Sequence, residues 1–280
     1  MKSIKLVCDS LTDLPKDIID KYNIDIVPLS VLFGDIEYID GVDISKNDFY
    51  SLMRNNDILP KTSQATYSKF KEIFENNKGS YESILYIGGS SIASGTFQSA
   101  MLTISDMDNS NIYAFDTMNL SIGSAQFVLK AAKLIEDNKS IEEIVDTLHE
   151  LRDNVKVLFS VDTLEYLQKG GRVSMAQASL GNLLNIKPIL QVLDGTVMPH
   201  SKIRGKKQVI SKFISSIKED FSGDLSNHTL IIGCGDNYLE LDEFKNSLLR
   251  EFNNCEILTV NVGSCICAHS GPSILGFSIL

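Results

Sequence analysis

The chain lacks the short motifs by which nucleotide and metal enzymes are usually read. No GxGxxG follows a strand pattern, and GxxxxGKS/T, HExxH and GxSxG are all absent. Without a glycine-rich phosphate loop, the chain is not expected to bind ATP by itself. Histidine is scarce: His149, His200, His228 and His269 are the only four, and none is spaced as a metal-ligand pair. No metal or cofactor is expected. The five cysteines form an odd set without a CxxC pair and sit among apolar neighbours, as in Ser264-Cys265-Ile266-Cys267. They read as buried thiols of a reducing compartment, not as a disulfide framework or a zinc site.

Positive charge is short as well. Lys plus Arg number 26 against 36 Asp plus Glu, a net charge of −10. That balance speaks against non-specific nucleic-acid binding, which needs cations to neutralise phosphates. The first residues, MKSIKLVCDS, reach Asp9 before a signal-peptide core could form. The longest uncharged stretch, Ile257 to Leu280, could span a bilayer by length alone. It carries Asn261, His269, Ser270 and Pro272, all costly in hydrocarbon. A soluble cytoplasmic protein is expected, with no more than transient membrane contact.

What is present is an ordinary globular composition: 280 residues, 43% hydrophobic and 22% charged. In the first half, short apolar runs (Ile4 to Asp9, Ile24 to Phe33, Ile84 to Gly88, Ile112 to Asp116) alternate with helical patterns. The helices are read at Phe49–Asn55, Tyr67–Asn77, Thr96–Asp106 and Ile122–Asn138, with a capping box at Ser140-x-x-Glu143 opening another. Such alternation predicts a parallel sheet with helices on both faces. From Asn154 onward the grammar changes. Strand Val155–Val161 and a short helix Asp162–Lys169, stopped by Gly170-Gly171, precede a hairpin over Lys187–Pro199 that turns at Asp194-Gly195. Helix Lys206–Phe221, strand Thr229–Gly233, helix Glu240–Phe252 and strand Glu256–Val262 follow. The expected fold is two-lobed α/β, with a parallel-sheet lobe over residues 1–154 and a mixed-sheet lobe over residues 155–280.

Four polar segments could carry chemistry. Gly88 to Gln98 (GGSSIASGTFQ) follows a buried strand and opens a helix, where free N–H groups favour an anion. Ser94 and Thr96 add hydroxyls and Gly95 permits close approach, although the same residues also make an ordinary N-cap. Pro60 to Gln64 reads as a loop before a helix. His269 lies in a polar break ending an apolar strand, where a satisfied core histidine is the commoner outcome. A Ser94–His269 hydrolase pair is conceivable, but nothing supplies an orienting acid. Finally Arg172 follows a helix stop, and Lys202, Arg204 and Lys206 would share one face of an extended segment. That face could contact phosphate or an acidic partner, or simply be a solvated edge.

Taken in order, eight phrases resemble the DegV family across nearly the whole chain. They are Asp9 to Pro15, Val27-Pro28-Leu29, Pro60 to Gln64, Ser94 to Ala100, Asp162 to Leu167, Gly170 to Ser174, Ile186 to Leu190 and His269 to Pro272. The resemblance implies a two-lobed protein holding a long-chain fatty acid such as palmitate between its lobes, for lipid transport or fatty acid metabolism. It implies that Thr62 and Ser94 hold the carboxylate, with Gly95, Thr96 and His269 in the same network. It further implies a binding protein and not an enzyme, which presents its acid to a separate ATP-dependent fatty acid kinase through Arg172 and Arg204. The chain departs from the family pattern at Ala268, Ser270 and Ser273 around the histidine, and at Ala93 and Phe97 in the serine loop. A Ser94–His269 esterase or thioesterase, or a sensor of another small carboxylate, are the alternatives.

Overall fold

The computed structural model describes residues 2–107, 111–172, 186–221, 225–226, 228–252 and 255–280. Strand β1 (Lys2–Asp9) leads through a 3-10 turn to helix α1 (Lys16–Tyr22) and β2 (Asp25–Val27). Next come β3 (Ser30–Phe33), β4 (Ile36–Ile39), α2 (Lys46–Asn55), β5 (Lys61–Ser63), α3 (Tyr67–Asn77), β6 (Tyr81–Gly88), α4 (Thr96–Met107) and β7 (Ile112–Asp116). Helices α5 (Ile122–Glu136) and α6 (Ile141–Leu151) lead into β8 (Lys156–Ser160), α7 (Glu165–Lys169), β9 (Ile186–Leu193) and β10 (Thr196–Arg204). The remainder is α8 (Gln208–Phe221), β11 (Thr229–Cys234), α9 (Tyr238–Glu251), β12 (Glu256–Asn261), α10 (Ser264–Ser270) and β13 (Leu275–Ile279).

Three sheets organise these elements. The first, in the order β2-β1-β6-β7, is parallel throughout. Its central strand β6 is buried from Ile84 to Gly88 without alternation, as expected where helices cover both faces. The second sheet, β10-β9-β8-β13-β11-β12, is mixed: only β11 and β12 run parallel. A small antiparallel sheet, β4-β3-β5, completes the set. Helix α5 joins the two large sheets. It is buried on nearly every side, and its core cluster combines Leu85, Ile87 and Phe115 of the first sheet with Ile231 and Val260 of the second. A helix buried over most of its surface belongs in such an interior, and each fully buried large apolar side chain there is worth about 1.5–3 kcal/mol.

Most boundaries fall where patterning puts them, including the Ser140–Glu143 capping box and the Asp194-Gly195 turn, whose φ values are +48° and +75°. Four readings need correction. The run Ile24 to Phe33 is not one strand: Pro28 has no N–H to donate, and the chain leaves β2 in the parallel sheet to enter β3 in the small one. Pro60 to Gln64 is not simply a loop, because Lys61–Ser63 forms β5 against β3. Ser264–Ser270 is a helix, ended at Gly271 (φ +81°), so His269 sits on a last helical turn and not at a strand end. Lys206 leaves the face shared by Lys202 and Arg204, because β10 stops at Arg204 and Gly205 turns the chain with φ +85°.

Candidate functional site

Three elements converge around one cavity. Strand β5 brings Thr62, paired in register with Val31 of β3. The turn between β6 and α4 brings Ser94 and Gly95, and its shape is held by Ser90, whose hydroxyl donates to the Gly195 carbonyl at 2.7 Å. The last turn of α10 brings His269. Gly95 leaves room for the Gln64 amide: a Cβ there would lie 1.9 Å from Gln64 Oε1 and displace a side chain whose Nε2 donates to Ser99 Oγ at 2.9 Å. Glycine thus lets the β5 segment close onto the start of α4.

His269 Nε2 lies 2.8 Å from Thr62 Oγ1. Its Nδ1 is buried with no hydrogen-bond partner among the described residues, facing Gly170, where a Cβ would approach within 2.2 Å. Burial, then the charge of Arg172, pushes the imidazole down to about 4, so it is neutral at pH 7. Arg172 is exposed, donates from Nη1 to the Gly170 carbonyl at 2.6 Å and from Nε to the Ala93 carbonyl at 3.4 Å, and still lines the cavity. It stands where the cavity meets solvent.

The cavity measures about 410 Å³, within the range of small-molecule sites. Thr62, Ser94, Gly95, His269 and Arg172 all line it, and Leu29, Val157, Phe159 and Val262 line its apolar body. Hydroxyls and a guanidinium at one part of an apolar cavity suit an anionic group attached to hydrocarbon. Two expected residues stand elsewhere. Thr96 is fully buried beside the site, its Oγ1 3.0 Å from Ser94 Oγ and accepting from the Ala65 amide at 3.3 Å. Arg204 is exposed at the end of β10 and does not line the cavity. Val173 and Ser174 of the arginine segment lie outside the described residues.

Ser94 caps the helix start and also faces the cavity. Its Oγ accepts from the Thr96 amide at 3.3 Å while the residue lines the cavity. For a hydrolytic pair the geometry differs from a triad: Ser94 Oγ bonds Thr96, His269 Nε2 bonds Thr62, and no carboxylate of the described residues meets Nδ1. Among the described residues there is no cluster of three metal-ligating side chains, and no helix is long and apolar enough to cross a membrane. Around the histidine, Ala268 packs in an apolar cluster, Ser270 lines the cavity, and Ser273 Oγ accepts from Arg54 at 2.7 Å.

Asp9 and Asp13 belong to the first family phrase, and the structure shows what they hold. Asp9 accepts from the Leu11 amide at 2.9 Å, the Gly89 amide at 3.1 Å and the Tyr86 hydroxyl at 2.6 Å. Asp13 accepts from the Ser121 hydroxyl at 2.5 Å and the Gly263 amide at 2.8 Å. Burial raises Asp9 to about 6 and Asp13 to about 7, in the latter case against the nearby Lys46 ammonium. Ser264 Oγ donates to Asp40 alongside. These carboxylates fasten the loop after β1 to the serine turn and to the start of α10.

A family model described as "Uncharacterised protein, DegV family" matches residues 3–280. The chain belongs to the DegV family. A DegV domain-containing protein of Caldanaerobacter subterraneus is 35% identical over 276 residues, covering 99% of this chain and 98% of the relative. Among solved structures, a DegV family protein from Thermus thermophilus, described by its fatty acid binding, superposes with a TM-score of 0.92 at 29% identity, covering 99% of both chains. DegV of Bacillus subtilis, described as a fatty acid binding protein, gives a TM-score of 0.89 at 31% identity, covering 100% of this chain and 99% of that one. The parallel sheet, the mixed sheet and their order are therefore DegV architecture, as the sequence resemblance implied.

Proposed function

We propose that this DegV-family chain binds a long-chain fatty acid in the cavity between residues 1–154 and residues 155–280. Thr62 and Ser94 hold the carboxylate, Gly95, Thr96 and His269 shape that pocket, and the chain itself performs no covalent chemistry. The observation that carries the reading is one cavity joining the Thr62–Ser94–His269 cluster to an apolar body. Its size is apt. An engineered apolar cavity of about 150 Å³ holds the six carbons of benzene, and the same ratio gives roughly sixteen carbons for this one, close to palmitate. The relatives described as fatty acid binding proteins support the ligand class.

The acid is carried in the cytoplasm and presented to a separate ATP-dependent kinase for acyl phosphate formation, with Arg172 and Arg204 facing that partner. Native mass spectrometry of the purified protein, followed by organic extraction, tests the core of this. A stoichiometric fatty acid is expected. A protein that is empty and takes up no added long-chain acid would overturn the reading.

A further inference from the structure

The wall of the cavity contains two facing glycines. Gly233 of β11 and Gly276 of β13 are register partners across an antiparallel pair, and both line the cavity. Their neighbours in register are apolar pairs, Ile232 with Phe277 and Cys234 with Leu275. A buried sheet gains stability from such cross-strand pairs, and glycine in a strand interior forfeits it. Here the sheet gives up one pair at a single place, and that place faces the cavity.

The direction of the missing side chains is fixed by what they would meet. A Cβ on Gly233 would lie 3.1 Å from Ile122 Cγ2 and 3.3 Å from Val262 Cγ2, and a Cβ on Gly276 would lie 2.7 Å from Phe159 Cβ. Ile122, Val262 and Phe159 all line the cavity. These side chains pack close over the two glycines, and the cavity reaches the glycine backbones in a narrow recess between the sheet and Ile122, at the start of α5. The polar side chains that suit a carboxylate come from β5, the turn before α4, and α10, none of which contributes to this recess.

We propose that the Gly233–Gly276 pair receives the terminal carbons of the acyl chain and, with Ile122 standing over it, sets the longest acid the cavity accepts. The proposal rests on the fatty-acid reading above.

Gly276 is the poorer site to probe, since its Cβ would also meet the Leu158 backbone carbonyl at 2.8 Å and part the sheet. At Gly233 the nearest obstacles are the ends of two side chains. The experiment measures dissociation constants of straight-chain acids from dodecanoic to eicosanoic for wild type, Gly233→Ala and Ile122→Ala, with circular dichroism confirming each fold. Gly233→Ala should move the optimum to shorter acids, costing the longest about fourfold in affinity for each methylene displaced, with dodecanoic acid losing least. Ile122→Ala should move the optimum the other way. If wild type shows an optimum that neither variant moves, the glycine assignment is wrong while the fatty-acid reading stands. If wild type binds none of the acids, both fall.

Discussion

Asp13 Oδ1 accepts the Gly263 amide at 2.8 Å, so the loop after the first strand holds the start of the helix whose last turn presents His269. Gly263 is that helix's N-cap and has no capping side chain of its own, and Asp13 supplies one from 250 residues away. Its other oxygen takes the Ser121 hydroxyl. Asp13→Ala would strand two buried donors, each worth about 1–3 kcal/mol. Urea unfolding should show a loss of at least about 2 kcal/mol, accompanied by weaker fatty acid binding as His269 loses its seat.

Asp13 also predicts a pH dependence. Its folded pKa, about 7, lies above the value of about 3.9 for an unfolded aspartate. The folded state keeps a proton that the unfolded chain has released. The stability Asp13 contributes is thus full below pH 4 and is lost as pH rises toward 7. Asp9, at about 6, acts in the same sense. His269, lowered to about 4, acts oppositely: its contribution is present above about 6.5 and is lost as pH falls toward 4. The stability difference between wild type and Asp13→Asn isolates the first of these and should fall steadily from pH 4 to 7. A flat difference would mean Asp13 does not titrate there.

At the polar pocket, Ser94→Ala and Thr62→Ala should each weaken binding of a long-chain acid by about 1.5–3 kcal/mol, the range for a hydrogen bond to a charged group. Because His269 is neutral at pH 7, His269→Gln should retain more affinity than His269→Ala. Isothermal titration of the delipidated protein measures all four. Full affinity in both hydroxyl variants would remove these residues from the carboxylate site.

The two arginines separate by position. Arg172 lines the cavity, whereas Arg204 is exposed on β10 beside Lys202. Arg172→Glu is expected to reduce fatty acid binding. Arg204→Glu should leave binding intact and lower kinase-dependent acyl phosphate formation. Turnover unaffected by Arg204→Glu would return that edge to a solvated surface.

The capping box gives a control far from the cavity. Ser140 Oγ accepts from the Glu143 amide at 3.2 Å, and Glu143 accepts in return from the Ser140 amide at 2.9 Å. Ser140→Ala should cost about 1 kcal/mol, lowering the thermal midpoint by a few degrees with fatty acid affinity unchanged.

Local features of the fold could be read directly. The Tyr67–Asn77 helix and the Ile112–Asp116 strand have the boundaries their periodicity predicts, and the Asp194-Gly195 turn announces itself. Helix α1 is short and its apolar face, Ile18, Ile19 and Tyr22, is faint and only partly buried, while in β13 burial on both faces erases alternation. The site was legible in part. Ser94 and Gly95 mark a helix start in any α/β sheet, but the bond between Thr62 and His269 joins residues 207 apart, which no local pattern records. Asp13 escaped for the same reason: its partners, Ser121 and Gly263, are distant in sequence. Lys206 read as part of a free basic face, yet it pairs with Glu240 at 2.5 Å.

The position of β13 bears on the order in which the molecule comes together. This strand lies in the middle of the six-stranded sheet, between β8 and β11, though it follows them all in sequence. Without residues 275–279 in place, the β8-β9-β10 meander and the β11–β12 pair would each present a bare inner edge open to wrong pairing. Gly276 comes with that strand, so this wall of the cavity is incomplete until β13 is seated between β8 and β11.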